Sequence, residues 1–220
     1  MSWVDRLNTN LRGTINRGTD NILESRSGIK ADQNLERLAD TVEAVLRSRL
    51  EKAVRLYTRK IFYFREEEPL QMIHLNYYLE NRLLSKIYDL HIKGRVEVSE
   101  AAEMENSEII FKHKNFQGKQ PCFIGSAKES PLNQRIQQLN NPLIMERIQR
   151  LDLSEVAIRY KKNEKCWELS SRSIIGSSVS LMFPPLTRCI TMQPQEIILL
   201  YELYSMIAAV LKYQNIDKEK

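Results

Sequence analysis

The chain has 220 residues, a length typical of one domain. Hydrophobic residues make up 42% of it and charged residues 28%, which excludes an intrinsically disordered chain and predicts a folded core. The net charge of +5 comes from 33 basic and 28 acidic residues, so it does not by itself require an acidic partner. The three cysteines form no C-x-x-C pair, and we expect free, buried thiols at Cys122, Cys166 and Cys189.

Residues 1–31 are predicted to form an N-terminal arm that is helical only when it is bound. Apolar residues recur near helical spacing, whereas Gly13 and Gly18 disfavour an isolated helix. Burial against another protein chain would order the arm, and a lipid surface is the alternative. The first residues lack the apolar run and cleavage site of a secretory signal, which favours a cytoplasmic protein or one built into a particle assembled there. The predicted partner-binding side chains are Trp3, Leu7, Leu11 and Ile15.

Residues 32–94 are predicted to form a long helical hairpin. Asp32 is the expected N-cap of a first helix that continues to about Tyr57, because apolar residues persist at helical spacing. A second helix is expected to begin at Pro69 and to end at Gly94. Two long helices joined by a short turn pack as an antiparallel pair.

Residues 95–220 predict an antiparallel sheet and further helices, packed with the hairpin as one domain. RVEV is expected to be the first strand, hairpins are expected from EIIFKHK with PCFIG and from EVAIRYKK with KCWELSS, and another strand is expected over 178–183. Between the hairpins, SPLNQRIQQL and NPLIMERIQRL each begin with a capping residue and a proline, which predicts two short helices. The predicted fold class is therefore α+β.

The C-terminal segment EIILLYELYSMIAAVLKY, residues 196–213, is predicted to form an apolar helix. Two glutamates and a lysine within it argue against a membrane span. Its polar residues form one narrow stripe, so the rest of the helix must lie against the core or, as the alternative, a neighbouring subunit. Glu202 in this stripe is expected to pair with a cation, because an isolated carboxylate in apolar surroundings is unfavourable.

No catalytic or cofactor motif is present at the level of sequence. The chain lacks a G-x-S-x-G elbow, a Walker A loop and a G-x-G-x-x-G turn, and IIGSSVS is better explained as an irregularity in a strand. The three histidines, His74, His91 and His113, are expected to be surface or partly buried side chains and not metal ligands. We expect Glu66 to Glu68 to interact with the dipole of the second helix. No catalytic residue, metal or cofactor is therefore predicted.

Four basic residues on the predicted first helix give a second candidate site. Arg49, Lys52, Arg55 and Arg59 lie opposite its apolar stripe and form a cationic ridge able to follow a phosphate backbone. A solvated helix face explains the same pattern more simply.

The leading functional hypothesis is a non-enzymatic structural or adaptor subunit of a larger assembly, such as a virus particle or a secretion machine. It would bind other protein subunits, in a homo- or hetero-oligomer, through its arm and its apolar helix faces. A nucleic-acid-binding module that uses the basic ridge is the alternative, and an enzyme whose site has no local motif is the third hypothesis.

Overall fold

The computed structural model describes residues 25–56, 58–98, 107–113, 121–125 and 130–212. Within these residues the chain is α+β and mostly sheet, with nine strands and four α-helices. The helices are α1 (Arg26–Leu46), α2 (Ser130–Leu139), α3 (Pro142–Arg150) and α4 (Pro194–Lys212). The strands are β1 (Leu50–Leu56), β2 (Arg59–Phe64), β3 (Met72–Arg82), β4 (Ser85–Glu97), β5 (Glu108–Lys112), β6 (Cys122–Gly125), β7 (Leu153–Lys161), β8 (Cys166–Leu181) and β9 (Leu186–Cys189).

All nine strands belong to one antiparallel sheet, with the order β1-β2-β3-β4-β8-β7-β5-β6 and with β9 paired to β8. The helices pack on one face of it: α4 contacts α1, α2, α3 and β4, while α1 also lies against β8. Successive side chains of a strand point to opposite faces, so every second residue meets the helices. The core is the layer between sheet and helices.

The second predicted helix is wrong, because residues 72–97 form the β3–β4 hairpin. The apolar positions of this segment fit both a helical and an alternating pattern. The structure has the alternating pattern of a strand: Ile73, Leu75 and Tyr77 are buried, whereas His74 and Asn76 point to the other face. Pairing of β4 with β8 along its length supplies the long-range hydrogen bonds that local propensity cannot reveal.

The first predicted helix exists but is shifted and shorter. Ser25, and not Asp32, is the N-cap of α1, and its hydroxyl accepts a hydrogen bond from the Gly28 amide at 3.2 Å. The helix ends at Leu46, and β1 and β2 follow as a hairpin. The predicted arm boundary at residue 31 therefore falls inside α1, where Ala31 is buried.

Gly94 and Glu68 also lie in surroundings different from those predicted. Gly94 is inside β4, and a Cβ there would come within 2.7 Å of Cδ1 of Tyr204 on α4, so this glycine permits close packing of helix and sheet and does not end a helix. Glu68 precedes a strand and accepts a hydrogen bond from the Tyr201 hydroxyl. The helix-dipole explanation of the three glutamates is therefore wrong.

The predictions for the second half of the chain are mostly confirmed. The hairpins β5–β6 and β7–β8 and the two short helices are present, and Asn141 caps α3 by accepting a hydrogen bond from the Leu143 amide at 2.9 Å. The strand predicted over 178–183 is the end of β8, which stops at Leu181. All three thiols are free, but only Cys166 is buried, and Cys189 is exposed.

Helix α4 confirms the predicted C-terminal helix, and Tyr213 lies outside the described residues. It is the one helix of the described residues that is long and apolar enough to cross a membrane. In the structure eight of its residues are buried against protein. Glu202 pairs with Arg147 of α3 at 2.9 Å, as predicted for a carboxylate in this helix.

The predicted strand irregularity at IIGSSVS is present. The β4–β8 register shifts between Tyr88 and Leu90, and Gly176 opposite this shift has φ +92°. The Ser177 hydroxyl accepts a hydrogen bond from the Leu90 amide at 2.9 Å, which replaces the interrupted backbone bond.

Candidate functional site

The four residues predicted to form a basic ridge do not all lie on one surface. Arg49 lies in the turn after α1, Lys52 and Arg55 on β1, and Arg59 on β2. By register Arg55 is on the face that meets the helices, since its partner is the buried Lys60, whereas Arg59 pairs with Asn76 on the opposite face. A helical cationic ridge is therefore wrong as a description of these four residues.

Arg55 is neutralised by carboxylates of α1. Its guanidinium lies 2.7 Å from Asp40, 2.8 Å from Glu43 and 3.2 Å from Glu36. Hydrogen bonds to Asp40 and Glu43 raise the pKa of this guanidinium. The buried Lys60 ammonium also bonds Glu36. This cluster fixes α1 to the edge of the sheet and leaves Arg55 little capacity for a phosphate backbone.

Arg49 belongs to a polar cluster between the β2–β3 connection and α4. Its guanidinium lies 3.3 Å from Glu68 and 4.8 Å above the Tyr201 ring. Burial and the hydrogen bond to Glu68 raise the pKa of Tyr201. The cluster borders an open cleft of about 1010 Å³, lined by Glu51, Tyr63, Phe64, Arg65, Glu66, Glu68, Gln71, Met72, Arg95, Glu97, Val98 and Lys212. The cations and carboxylates in this cluster are bonded to one another, which gives it a structural explanation.

Two neighbouring turns expose large apolar side chains, and we call this group the apolar tip: Leu83 and Leu84 between β3 and β4, and Met182 and Phe183 after β8. The exposed fractions are 92% for Leu83, 87% for Phe183, 62% for Leu84 and 51% for Met182. The Met182 amide donates to the Leu84 carbonyl at 2.9 Å, so the two turns are joined. The apolar tip is thus one surface.

The composition of the apolar tip has no explanation in folding. Two-residue hairpin turns favour Asn-Gly or Asp-Gly, because those residues adopt the backbone conformations required, and solvent favours polar side chains. The β3–β4 turn instead carries two leucines, and Leu186, which starts β9 beside the tip, is exposed as well. Exposed apolar groups of this kind, contiguous on a surface, are typical of surfaces that contact another molecule.

The sheet face opposite the helices is polar, and no helix of the described residues covers it. Its centre consists of two adjacent cross-strand rows: Arg59, Asn76, His91 and Arg172 in one, and Ile61, His74, Lys93 and Ser170 in the other. Seven of these eight residues are polar, the exception being Ile61, and we call the group the polar face. Directly paired side chains on one sheet face lie about 5 Å apart at Cβ, so the two rows form a single surface.

Both histidines of the polar face are kept neutral at neutral pH. Burial, followed by the positive charges of Arg59 and Lys93, lowers the pKa of His74 to about 4. Burial and the neighbouring Arg172 lower the pKa of His91 to about 4 as well. His91 stacks on Tyr78, with the ring centroids 5.4 Å apart. The sequence predicts partly buried histidines, and both are; it does not predict that they share one sheet face, because the apolar spacing of this segment favours a helix.

Two further questions concern where the predicted partner-binding residues lie and whether potential metal ligands come together. Trp3, Leu7, Leu11 and Ile15 lie outside the described residues. Among the described residues no group of three or more His, Cys, Asp or Glu side chains lies together as metal ligands would.

The sequence does not predict the apolar tip, because the tip lies partly in the segment predicted as the second helix. The available signal was the run LMFPPL, in which apolar residues flank two prolines.

Comparison with known proteins gives a family. No curated protein and no solved structure matches the chain. A family model described as a protein of unknown function, DUF3156, matches residues 48–211. The match begins after α1 ends, includes all nine strands, the apolar tip and the polar face, and stops one residue before the end of α4. Since it covers more than half of the chain, the protein belongs to the DUF3156 family of proteins of unknown function.

Proposed function

We propose that this protein is a non-enzymatic adaptor subunit that binds another protein of a larger assembly through the apolar tip. The observation that supports the proposal is the exposure of Leu83, Leu84, Met182 and Phe183 on two turns joined by a backbone hydrogen bond. Isolated exposed leucines are ordinary, whereas four large apolar side chains on adjacent turns mark a contact surface.

Energetics favour a partner that contacts more than the apolar tip. Full burial of four large apolar side chains contributes at most about 6 to 12 kcal/mol, because Leu84 and Met182 are already partly buried. The loss of translational and rotational freedom on association costs about 4 to 15 kcal/mol, so the tip alone would give weak binding. The arm residues Trp3, Leu7, Leu11 and Ile15 are the proposed second contact, an inference from sequence alone. Two linked contacts bind far more tightly than either one.

A protein partner fits the tip better than an anionic membrane does. Peripheral binding to anionic lipid depends on several cations close to the inserted side chains, each contributing about 1 kcal/mol. Beside the tip, Arg82 already pairs with Glu80 at 3.0 Å. Lys86 and Arg188 are the nearby cations without an ion pair among the described residues.

Nucleic-acid binding remains the weaker alternative. Arg49 and Arg55, two of the four residues proposed to contact nucleic acid, already form ion pairs with carboxylates of the protein. The other two, Lys52 and Arg59, lie on different strands. A protein of this kind would bind nucleic acid with a steep dependence on salt concentration. Absence of binding at low salt would remove the alternative.

The test compares the native size of the tagged chain in extracts of the cells that produce it. The wild type is expected to elute above its monomer mass of 25.8 kDa, and the double variant Leu83→Asp/Phe183→Asp is expected to elute as a monomer with an unchanged melting temperature. Leu143→Asp is the matched control, since Leu143 is 52% exposed at the start of α3, away from the tip.

Two outcomes would contradict the proposal. Elution of all three proteins at the same size would show that the apolar tip is not required for assembly. Co-sedimentation of the purified wild type, but not of the tip variant, with phosphatidylglycerol vesicles would make the tip a membrane contact. Light scattering of the purified chain separates self-association from association with a different protein.

A further inference from the structure

The polar face contains three buried polar atoms without a hydrogen-bond partner. They are His74 Nε2, Asn76 Oδ1 and His91 Nε2. In register, His91 is directly opposite Asn76, and His74 is two residues before Asn76 on the same strand face, so the three atoms belong to one surface. A buried polar group left without a partner costs about 1 to 3 kcal/mol, and such groups in a native protein need an explanation.

Two cations beside these atoms lack an ion pair among the described residues. Lys93 is directly opposite His74, and Arg59 is directly opposite Asn76. The other basic residues nearby are paired: Arg172 lies 2.9 Å from Glu155, Arg159 bonds Glu108 at 2.5 Å, and Lys161 bonds Glu168 at 2.8 Å. The one carboxylate that faces His74, Glu168, is already bonded to Lys161, so Arg59 and Lys93 leave a net positive charge next to His74.

We infer that the polar face is a binding site for a small organic anion, whose phosphate or carboxylate group lies between Arg59, His74 and Lys93. The two cations supply charge complementarity, and His74 Nε2 supplies a hydrogen-bond donor when it is protonated. Asn76 Oδ1 accepts a hydrogen bond, so the ligand carries a hydroxyl next to its anionic group. The class is that of hydroxycarboxylates and sugar or polyol phosphates. This inference is independent of the proposed adaptor function.

The charges that face the histidines give the site a dependence on pH. His74 is faced by Arg59 of β2, Lys93 of β4 and Glu168 of β8; His91 is faced by Lys93, by Arg172 of β8 and by Glu155 of β7. In the free protein the pKa of His74 is about 4. A bound anion stabilises the imidazolium and raises that pKa, so the bound state takes up a proton as the pH falls. The anion therefore binds more tightly at pH 5.5 than at pH 7.5.

The experiment is a titration of the full-length protein followed by the imidazole resonances of His74 and His91 in heteronuclear NMR spectra. Three probes are used at constant ionic strength: tartrate, glycerol 3-phosphate and, as the neutral comparison, glycerol. Saturable shifts of both histidines are expected with tartrate or glycerol 3-phosphate but not with glycerol. The response to one probe and not the other tells carboxylate from phosphate. Tartrate affinity is expected to rise at least about threefold between pH 7.5 and pH 5.5.

Matched variants test the placement of the anion. Arg59→Ala and Lys93→Ala are each expected to weaken binding of the anion at least about fivefold, because each removes a cation in direct contact with the anionic group. Lys52→Ala removes the same charge from β1, opposite Tyr63, and is expected to leave binding unchanged. Resonance dispersion of each variant reports whether it is folded. Shifts that do not saturate, or an equal loss in Lys52→Ala, would mean general charge screening and would overturn the site.

Discussion

The Tyr77 hydroxyl lies 2.5 Å from the carbonyl oxygen of Gly176, and the Asn34 side-chain amide donates hydrogen bonds to both oxygens. These three residues join α1, β3 and β8 through buried polar groups. Gly176 has φ +92°, a conformation that other residues avoid, and a Cβ there would lie 2.6 Å from Cδ2 of Leu90. The irregularity in β8 thus presents a carbonyl group to the helix layer.

Gly176→Ala is expected to destabilise the protein by at least about 2 kcal/mol, because backbone strain and overpacking against Leu90 add. Urea unfolding measures the change. Gly125→Ala is the matched control: its Cβ would meet the end of the flexible Ile136 side chain, and its φ is not in the left-handed region, so its cost should be smaller. Equal costs would show that the conformation at residue 176 is not the determinant.

Arg55→Ala is expected to lower the free energy of unfolding by about 1 kcal/mol, as it leaves three carboxylates of α1 without their shared cation. Arg59→Ala removes the same type of side chain from β2, where no described carboxylate pairs with it, and should have almost no effect. Chemical denaturation at low and high salt checks both variants. The Arg55 effect should shrink at high salt, and an effect independent of salt would exclude the electrostatic cause.

The stability of the folded state should fall as the pH falls from about 6.5 to 4, in part because of His74. Its pKa is lowered to about 4 in the folded protein, mainly by burial, so the unfolded chain binds the proton more readily over this interval. At pH 5 this one group costs about 2 kcal/mol relative to pH 7. His74→Gln removes that cost, and the difference between the two proteins cancels the titration of other groups. Parallel pH profiles for the two proteins would contradict the assignment.

Leu203→Ala is expected to cost about 2 to 5 kcal/mol, because the side chain is completely buried in α4 and its removal leaves a cavity. Ile198→Ala, on the same helix but 43% exposed, should cost less than about 1 kcal/mol. Thermal unfolding of the two variants gives the comparison. If α4 instead contributed mainly to an interface with another chain, both substitutions would have small effects on the isolated protein.

The sequence alone was sufficient where local signals agree with the final structure. Helix α4 is apolar on most of its surface and α3 has Asn141 and Pro142 at its start, so propensity and capping chemistry specify these helices before any packing. The β7–β8 hairpin has the alternation of a half-buried strand on either side of a turn. The pairing of Glu202 with a cation follows from the cost of an unpaired carboxylate that is partly removed from water in an apolar helix.

Only the tertiary structure determined that the segment from β1 to β4 forms strands and not a helix. Its apolar residues satisfy the helical and the alternating pattern alike, and the choice depends on β8, whose residues are about 80 positions later in the chain and pair with β4. That choice assigned side chains to faces: it placed His74, Asn76, His91 and Lys93 on one surface, separated Arg55 from Arg59, and brought Leu84 next to Met182. Local sequence contains no information on which distant strand will pair, so both candidate surfaces arise from the register of the sheet.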